Sequence, residues 1–318
     1  MKALRIPESF VFLKKTRAKA GLGILLALVV VAAFAPWIAP YNPDRMFSPY
    51  LPPSPSHLLG TDYFGYDVLS WLIVGSRISL FVGFLGGAGI TAIALIMAII
   101  AGYYDRNIVG EVFNALINVF LVIPVLPLLI VIASYIRSYS IYPVLFAIVL
   151  TSWPYPARVL RSQILSIRSR EFVLADKSIG LSDFSIIRKD VIPGITSLIF
   201  YIFLASTIAA ILTEASLEFL GLGDVSVISW GSMLYWAQNE QALVYGAWWW
   251  FLPPGFMIGL VGVALVLINL SLDESTNPRL QAATLMKNYQ KKIGKNVRAS
   301  KEKSFRNRDH VKLFIISW

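Results

Sequence analysis

Six stretches of the chain contain no Asp, Glu, Lys or Arg and are long enough to cross a bilayer as helices. They cover residues 20–43, 78–104, 112–136, 138–157, 191–213 and 241–272. A helix needs roughly 20 apolar residues to cross a hydrocarbon core about 30 Å thick. A charge at the centre of such a helix costs about 2.5–3.5 kcal/mol, so long uncharged runs indicate membrane spans. The pattern predicts an all-α polytopic membrane protein with six transmembrane helices between residues 20 and 272.

The composition supports a membrane protein and leaves little material for catalysis. Of the 318 residues, 57% are hydrophobic and 14% charged, whereas soluble domains have about 25% charged residues. The chain has no cysteine, its two histidines are His57 and His310, and no Gly-x-x-x-x-Gly-Lys-[Ser/Thr] phosphate loop occurs. We therefore expect no catalytic, cofactor-binding or metal-binding residues here. If the chain moves a solute actively, the energy must come from another subunit.

The distribution of basic residues predicts the orientation. With the N-terminus in the cytoplasm, 25 of the 28 Lys and Arg residues lie on the cytoplasmic side, and only Arg45, Arg77 and Arg137 lie outside. The positive-inside rule then places both termini in the cytoplasm, as a basic N-terminal segment (residues 1–19) and a basic tail (residues 273–318). The net charge of +10 fits an anionic membrane surface better than nucleic acid. A cleaved signal peptide is the alternative for the first run, but its apolar part is too long and lacks a small-residue cleavage site.

The cytoplasmic segment of residues 158–190 predicts two short amphipathic helices joined at a glycine. One helical stripe holds Phe172, Ala175, Asp176 and Ile179, and Gly180 is typical of the residue that ends a helix. Ser182 or Asp183 can cap a second helix, whose stripe holds Phe184, Ile187 and Val191. Composition leaves two interpretations open: the helices lie on the bilayer surface, or they form a docking surface for a cytoplasmic partner.

Prolines and glycines within the runs predict bends and close helix contacts. Pro124 and Pro127 lie in the third run, and Pro143, Pro154 and Pro156 lie in or near the fourth. Proline kinks a helix because it lacks an N–H and clashes with the preceding turn. Two small-xxx-small pairs, Gly83 with Gly87 and Gly255 with Gly259, permit helices to approach closely. Ordinary packing and a translocation pathway both account for these features.

Several motifs, in order, resemble one permease subunit of the dipeptide/oligopeptide ABC importers. They are LLGTDYFGYDVLS (residues 58–70), GSRISL (75–80), TEASLEFLGLG (213–223), SWGSML (229–234) and NPRL (277–280). Tyr66 stands where usual members of the family have Arg. The likeness extends over about residues 22–280, and the motif order agrees with six spans. It implies the transmembrane fold of a type I ABC importer.

The resemblance also implies that residues 158–190 contain the family's coupling helix, which sits in a cleft of an ATPase subunit. The family signature Glu-Ala-Ala, three residues, Gly, then Leu-Pro is matched here with Leu174 in place of Glu and Asp176 in place of the second Ala. The spacing from Gly180 to Pro193 is that of the family. The docking core implied by the resemblance consists of Phe172, Ala175, Asp176, Ile179 and Gly180.

The partners implied are a second homologous permease, two P-loop ATPase subunits that bind ATP and Mg, and an extracytoplasmic solute-binding protein. This chain would be a non-catalytic subunit in the cell membrane that imports di- or oligopeptides by alternating access. Candidates for the pathway are Asn118, Pro124 and Ser134. Candidates for contact with the binding protein, within residues 41–77 and 217–240, are Asp62, Asp67, Glu218, Asp224 and Trp230.

Three alternatives differ in solute or in protein class. The same type of complex could import oligosaccharides or nickel chelates. A stand-alone secondary transporter predicts carboxylates inside the membrane, but none of the six runs contains one, and Glu214 follows the end of the fifth. An intramembrane enzyme would need a catalytic pair facing water, for which the runs offer no His, Asp, Glu or Cys.

Overall fold

The structure, a computed structural model, describes residues 15–135 and 140–276, with side chains through residue 272. Most of the basic N-terminal segment, Arg137, and the basic tail with its NPRL motif therefore lie outside the residues whose side chains are described. In the described ranges the backbone is helical, apart from connecting segments with two isolated β-bridges, Met46 to Tyr66 and Thr61 to Asp67.

Twelve α-helices and one π-helical turn follow one another in the described part of the chain. They are α1 (Thr16–Ala33), α2 (Ala35–Ile38), α3 (Val68–Tyr103), α4 (Ile108–Val122), α5 (Val125–Tyr135), α6 (Ile141–Ser152), α7 (Pro154–Arg168), α8 (Glu171–Ser178), α9 (Asp183–Ile186), the π-helical turn (Ile187–Val191), α10 (Ile192–Phe219), α11 (Trp230–Asn239) and α12 (Trp248–Thr276).

The spans agree with the six uncharged runs. Four helices in the described ranges are long and apolar enough to cross a membrane: α1, α3, the continuous helix Asp183–Phe219, and α12. Two further pairs, α4 with α5 and α6 with α7, pass the same criteria together but are bent by 87° and 40°. By length and composition, the described part of the chain therefore has four continuous spans, or six when each bent pair counts as one span, and six is the predicted number.

Two of the five predicted prolines lie at the bends, and the residue before each of these two explains the difference in angle. The other three lie inside unbroken helices: Pro127, Pro143 and Pro156. Ile123 precedes Pro124 and is extended, with ψ of 122°, as steric contact with a following proline favours. Trp153 precedes Pro154 but stays in the right-handed helical region, with ψ of −24°. Extended backbone redirects the chain more than helical backbone, so the α4–α5 bend is sharper.

Helix α3 is the centre of the bundle and packs most extensively against α10 and α7. A methyl group at Gly87 would lie 2.8 Å from the backbone nitrogen of Thr207 in α10, and one at Gly83 would overlap the side chain of Ile211. The predicted close contact is confirmed for this pair. It is wrong for Gly255 and Gly259 within the described chain, because no atom lies within 4 Å of the methyl positions there.

Candidate functional site

The segment between α7 and α10, here called the two-helix loop (residues 169–191), has the predicted helix–glycine–helix form. Gly180 has a φ of +85°, a conformation that glycine adopts without steric cost. The Gly180 N–H donates to the Lys177 carbonyl at 3.1 Å, and the Leu181 N–H donates to the Asp176 carbonyl at 3.2 Å. This pair of bonds is a Schellman motif, which satisfies the last carbonyls of α8. Ser182 then caps α9 through the Ser185 N–H.

One side of the two-helix loop is anchored in the bundle and the other carries exposed apolar side chains. Val173, Ile186 and Val191 are buried in a cluster with residues of α7 and α10. On the opposite side, four large apolar side chains are between 48% and 76% exposed: Phe172, Leu174, Ile179 and Phe184. Such a surface indicates an interaction with lipid or protein, because isolated soluble surfaces rarely group large apolar residues.

The predicted docking residues lie largely on that exposed side. Phe172, Ala175 and Ile179 are exposed, whereas Asp176 is partly buried and faces the carboxyl group of Asp190. The predicted stripe of the second helix is wrong: Phe184 is exposed, but Val191 is buried. The π-helical turn explains the error, since its wider i→i+5 bonding changes the angle between successive residues.

Two polar contacts tie the two-helix loop and α7 to the end of α3. The Tyr103 hydroxyl donates to Asp183 Oδ1 at 2.8 Å, which joins α3 to the first residue of α9. Arg161 of α7 pairs with Asp105 at 2.6 Å between Nη2 and Oδ1. Neither contact is apparent from the sequence, because the two pairs of residues are 80 and 56 positions apart.

The other end of α3 is tied to α11 through Trp230. The Trp230 backbone N–H donates to Ser79 Oγ, and its indole N–H donates to the Leu72 carbonyl, both at 3.1 Å. Trp230 is fully buried. Helix α3 therefore contacts the two-helix loop at one end and α11 near the other.

A buried polar network holds the segment of residues 39–67 over the start of α3. His57 Nδ1 lies 2.9 Å from Asp67 Oδ1, and Asp67 Oδ2 accepts from the Ser70 N–H and hydroxyl. Asp62 accepts from the Tyr66 N–H at 2.8 Å. Burial raises the pKa of Asp62 to about 7, although hydrogen bonds from backbone N–H groups act in the opposite direction.

The structure corrects the five residues predicted to contact an external binding protein. Asp62, Asp67, Glu218, Asp224 and Trp230 are all buried. Internal hydrogen bonds engage most of them: Asp224 accepts from Ser226, and one carboxyl oxygen of Glu218 accepts from the Ser229 hydroxyl. The five residues therefore connect the ends of the spans to one another and are not part of the exposed outer surface. The large apolar residues exposed on the segment of residues 39–67 are instead Met46, Leu58 and Tyr63.

The three pathway candidates lie on the exposed face of the bent pair. Asn118 is on α4, Pro124 is at the bend and Ser134 is on α5, where its hydroxyl donates to the Ile130 carbonyl at 2.7 Å. All three are exposed or partly exposed. What they would line depends on a neighbouring chain, so their assignment to a pathway stays a prediction. In the described ranges, no three His, Asp or Glu side chains are grouped so that they could hold a metal ion.

Helix α10 brings two carboxyl groups into the bundle that the uncharged runs had not predicted. It continues to Phe219, beyond the end of the fifth run at residue 213, and carries Glu214 and Glu218. Both side chains are buried. The expectation that the spanning helices contain no carboxylate is therefore wrong, because an uncharged run sets a minimum length for a helix and not its end.

Two family descriptions match the chain. The family described as binding-protein-dependent transport system inner membrane component matches residues 93–281. A second family, the N-terminal TM domain of oligopeptide transport permease C, matches residues 10–53.

Relatives of known sequence extend the likeness over most of the chain. The dipeptide transport system permease protein DppC of Bacillus subtilis (strain 168) is 34% identical over 85% of this chain and 84% of its own length. The di/tripeptide transport system permease protein DppC of Pseudomonas aeruginosa (strain UCBPP-PA14) is 33% identical over 84% of this chain and 89% of its own. An inward-facing structure of the MetNI methionine ABC transporter matches 65% of this chain and 97% of its own with a TM-score of 0.54. At 16% identity, that likeness bears on the fold alone.

Proposed function

Because this chain belongs to the family of binding-protein-dependent transport system inner membrane components, we propose that it is a transmembrane subunit of an ATP-driven importer of di- and oligopeptides. The observation that carries the proposal is the exposed apolar side of the two-helix loop, for which the family membership favours a protein partner over lipid. The solute class rests on the relatives, which are named as dipeptide and di/tripeptide permeases.

The docking surface is proposed for an ATPase subunit. Permeases of this family work in complexes with ATPase and other subunits. The proposed docking core is the predicted one: Phe172, Ala175, Asp176, Ile179 and Gly180. The full complex would contain a second homologous permease, two P-loop ATPases that bind ATP and Mg, and an external solute-binding protein, while this chain itself carries no catalytic group.

The proposed orientation puts the two-helix loop in the cytoplasm and residues 39–67 outside. It rests on the 25 of 28 basic residues that then face the cytoplasm. Met46, Leu58 and Tyr63 replace the five buried residues as candidates for contact with the binding protein, because a docking protein meets exposed side chains first.

Helix α3 is the proposed link between ATPase docking and the outer end of the bundle. Its 36 residues span about 54 Å as an α-helix. A nucleotide bound to the ATPase can shift the equilibrium between transport states only through a structural element whose conformation affects both the docking site and the outer end of the bundle. The Tyr103–Asp183 bond at one end and the Trp230–Ser79 bond near the other attach α3 to the parts that would move.

Replacing Tyr103 by Phe is expected to lower the solute transported per ATP hydrolysed by about fivefold, the lower end of typical coupling effects. The change removes the hydroxyl that reaches Asp183 and keeps the ring. The neighbouring Tyr104→Phe is the matched control and should transport normally. Transport and ATP hydrolysis are measured together in liposomes, with thermal stability as a check on folding. An unchanged ratio in Tyr103→Phe would exclude this bond as a coupling element.

Purification from native membranes in mild detergent, followed by mass spectrometry, tests the proposed function. A second permease, P-loop ATPases and a solute-binding protein should accompany the chain, and the binding protein should then take up peptides. A binding protein that prefers oligosaccharides or nickel chelates would leave the complex standing but replace the solute.

The carboxyl groups of α10 meet one requirement of a secondary transporter, so the experiment needs a second arm. A chain that purifies alone and moves solute in liposomes without ATP would overturn the importer assignment.

A further inference from the structure

Glu214 and Glu218 form a buried carboxyl pair near the end of α10. They stand four residues apart, which places them on one face of the helix. Their side chains are 0% and 1% exposed. Glu218 Oε2 accepts from the Ser229 hydroxyl. The other three carboxyl oxygens, both of Glu214 and Oε1 of Glu218, accept no hydrogen bond of good geometry in the described chain, although the Ser229 hydroxyl lies near Glu214 and the Ser232 N–H lies near Glu218.

No cation balances this pair in the described part of the chain. Besides the interaction between Glu214 and Glu218 themselves, the electrostatic interaction with a charged group comes from Asp224, which is also an acid. On α3, the residue that faces Ser229 is Gly75, while Arg77 is exposed in the groove between α1 and α3, beside Val29 and Phe81. On α11 the neighbours Ser229, Trp230 and Ser232 are uncharged, and Glu240 follows the last residue of that helix.

Two ionised carboxylates without a cation are unfavourable in the buried interior of the bundle. Each loses its hydration on burial, and each repels the other. A proton on one of them removes one charge and converts an acceptor oxygen into a donor, which the other carboxylate can accept. A shared proton needs free acceptor oxygens on both carboxyl groups. The three oxygens that accept no other hydrogen bond of good geometry provide them.

We propose that Glu214 and Glu218 form a proton-binding site, in which the two carboxyl groups share one proton that holds the end of α10 to the start of α11. The link to α11 is Ser229, which is the N-cap residue of that helix and forms a reciprocal capping box with Ser232. Trp230 continues the connection to Ser79 of α3. Loss of the proton would put two negative charges beside Ser229 and weaken this junction.

The proton can be observed by infrared spectroscopy on the full chain, in whatever complex it purifies with. At pH 7, the protonated-carboxyl band of the wild type should be larger than that of Glu214→Gln or Glu218→Gln by the absorbance of one carboxyl group. In each variant the amide donates to the remaining carboxylate, so no shared proton is needed. The control is Asp224→Asn, which removes an acid that already has donors and should leave the band in place. An undiminished band in both Gln variants overturns the proposal.

The pH dependence of thermal stability gives an independent measurement. A proton held by the native state and released on unfolding makes stability fall as pH rises. Asp62 adds a fall of the same sign near pH 7, so the comparison is made in an Asp62→Asn background. In that background, the decrease in thermal stability above pH 7 should disappear when Glu218→Gln is added. Stabilisation by sodium over choline at equal ionic strength, without a protonated-carboxyl band, would show a cation site and overturn the proton assignment.

Discussion

Replacing Gly180 by proline is expected to reduce coupled transport by about tenfold or more, within the range of free energies that couple distant sites. Proline requires a φ near −65°, whereas Gly180 has a φ of +85°. Proline also removes the N–H that donates to the Lys177 carbonyl. Helix α8 would then change its orientation relative to α9, which displaces the docking side chains of Phe172 and Ile179. The membrane spans should still insert, because they do not contain Gly180.

A pair of alanine variants separates docking from backbone strain. Gly180 and Gly246 both have positive φ, at +85° and +68°. At each of them, an added methyl group would have no atom of the described chain within 4 Å, so alanine meets conformational strain alone. Such strain is of order 1–3 kcal/mol per residue.

Gly180→Ala should lower transport per ATP hydrolysed, whereas Gly246→Ala, between α11 and α12, should lose stability alone. Transport and ATP hydrolysis in liposomes, with membrane insertion as the control, measure both. Normal transport by Gly180→Pro would remove the docking assignment but leave the family membership untouched.

Replacing Gly87 by alanine is expected to destabilise the folded chain by about 3 kcal/mol, at the upper end of typical overpacking effects. The added methyl would meet the backbone nitrogen and Cα of Thr207 at 2.8 and 2.9 Å. A backbone cannot rotate away as a side chain can, so α3 and α10 must separate. Their contact is the most extensive between helices of the described chain, and many other contacts would loosen with it.

The matched control is Gly259→Ala in α12, where no atom of the described chain lies within 4 Å of the new methyl group. An alanine at an open helical position is favoured over glycine by about 1 kcal/mol, so this variant should be as stable as wild type or more so. Unfolding of the purified chain in detergent measures both. If Gly87→Ala were as stable as Gly259→Ala, α3 and α10 would not be in close contact.

The spans and the glycine turn could be predicted because their causes are local. A run of apolar residues enters a bilayer whatever its neighbours are, since the cost of a buried charge depends on that segment alone. Gly180 ends α8 for a similar reason: few other residues adopt a positive φ. Proline limited the possible positions of the bends for the same reason, although only Pro124 and Pro154 of the five predicted prolines lie at one.

The surface of the protein could not be predicted in this way, and the five residues proposed for external contact show why. Asp62, Asp67 and Glu218 are charged and lie outside the uncharged runs, which favours exposure when only neighbours in sequence are considered. In the fold they accept hydrogen bonds from Tyr66, Ser70 and Ser229, and such bonds permit a carboxyl group to be buried.

The sequence by itself determined that this chain spans a membrane, which prolines are candidates for a bend, and that a helix–glycine–helix loop follows α7. Each of these depends on hydrophobicity or backbone conformation over a few consecutive residues. The tertiary structure alone decided that Gly87 and not Gly259 lies at a helix contact, that Tyr103 reaches Asp183, and that Glu214 and Glu218 are buried together without a cation in the described chain. Those relations join residues far apart in sequence or depend on which face of a helix is covered, and only packing sets them.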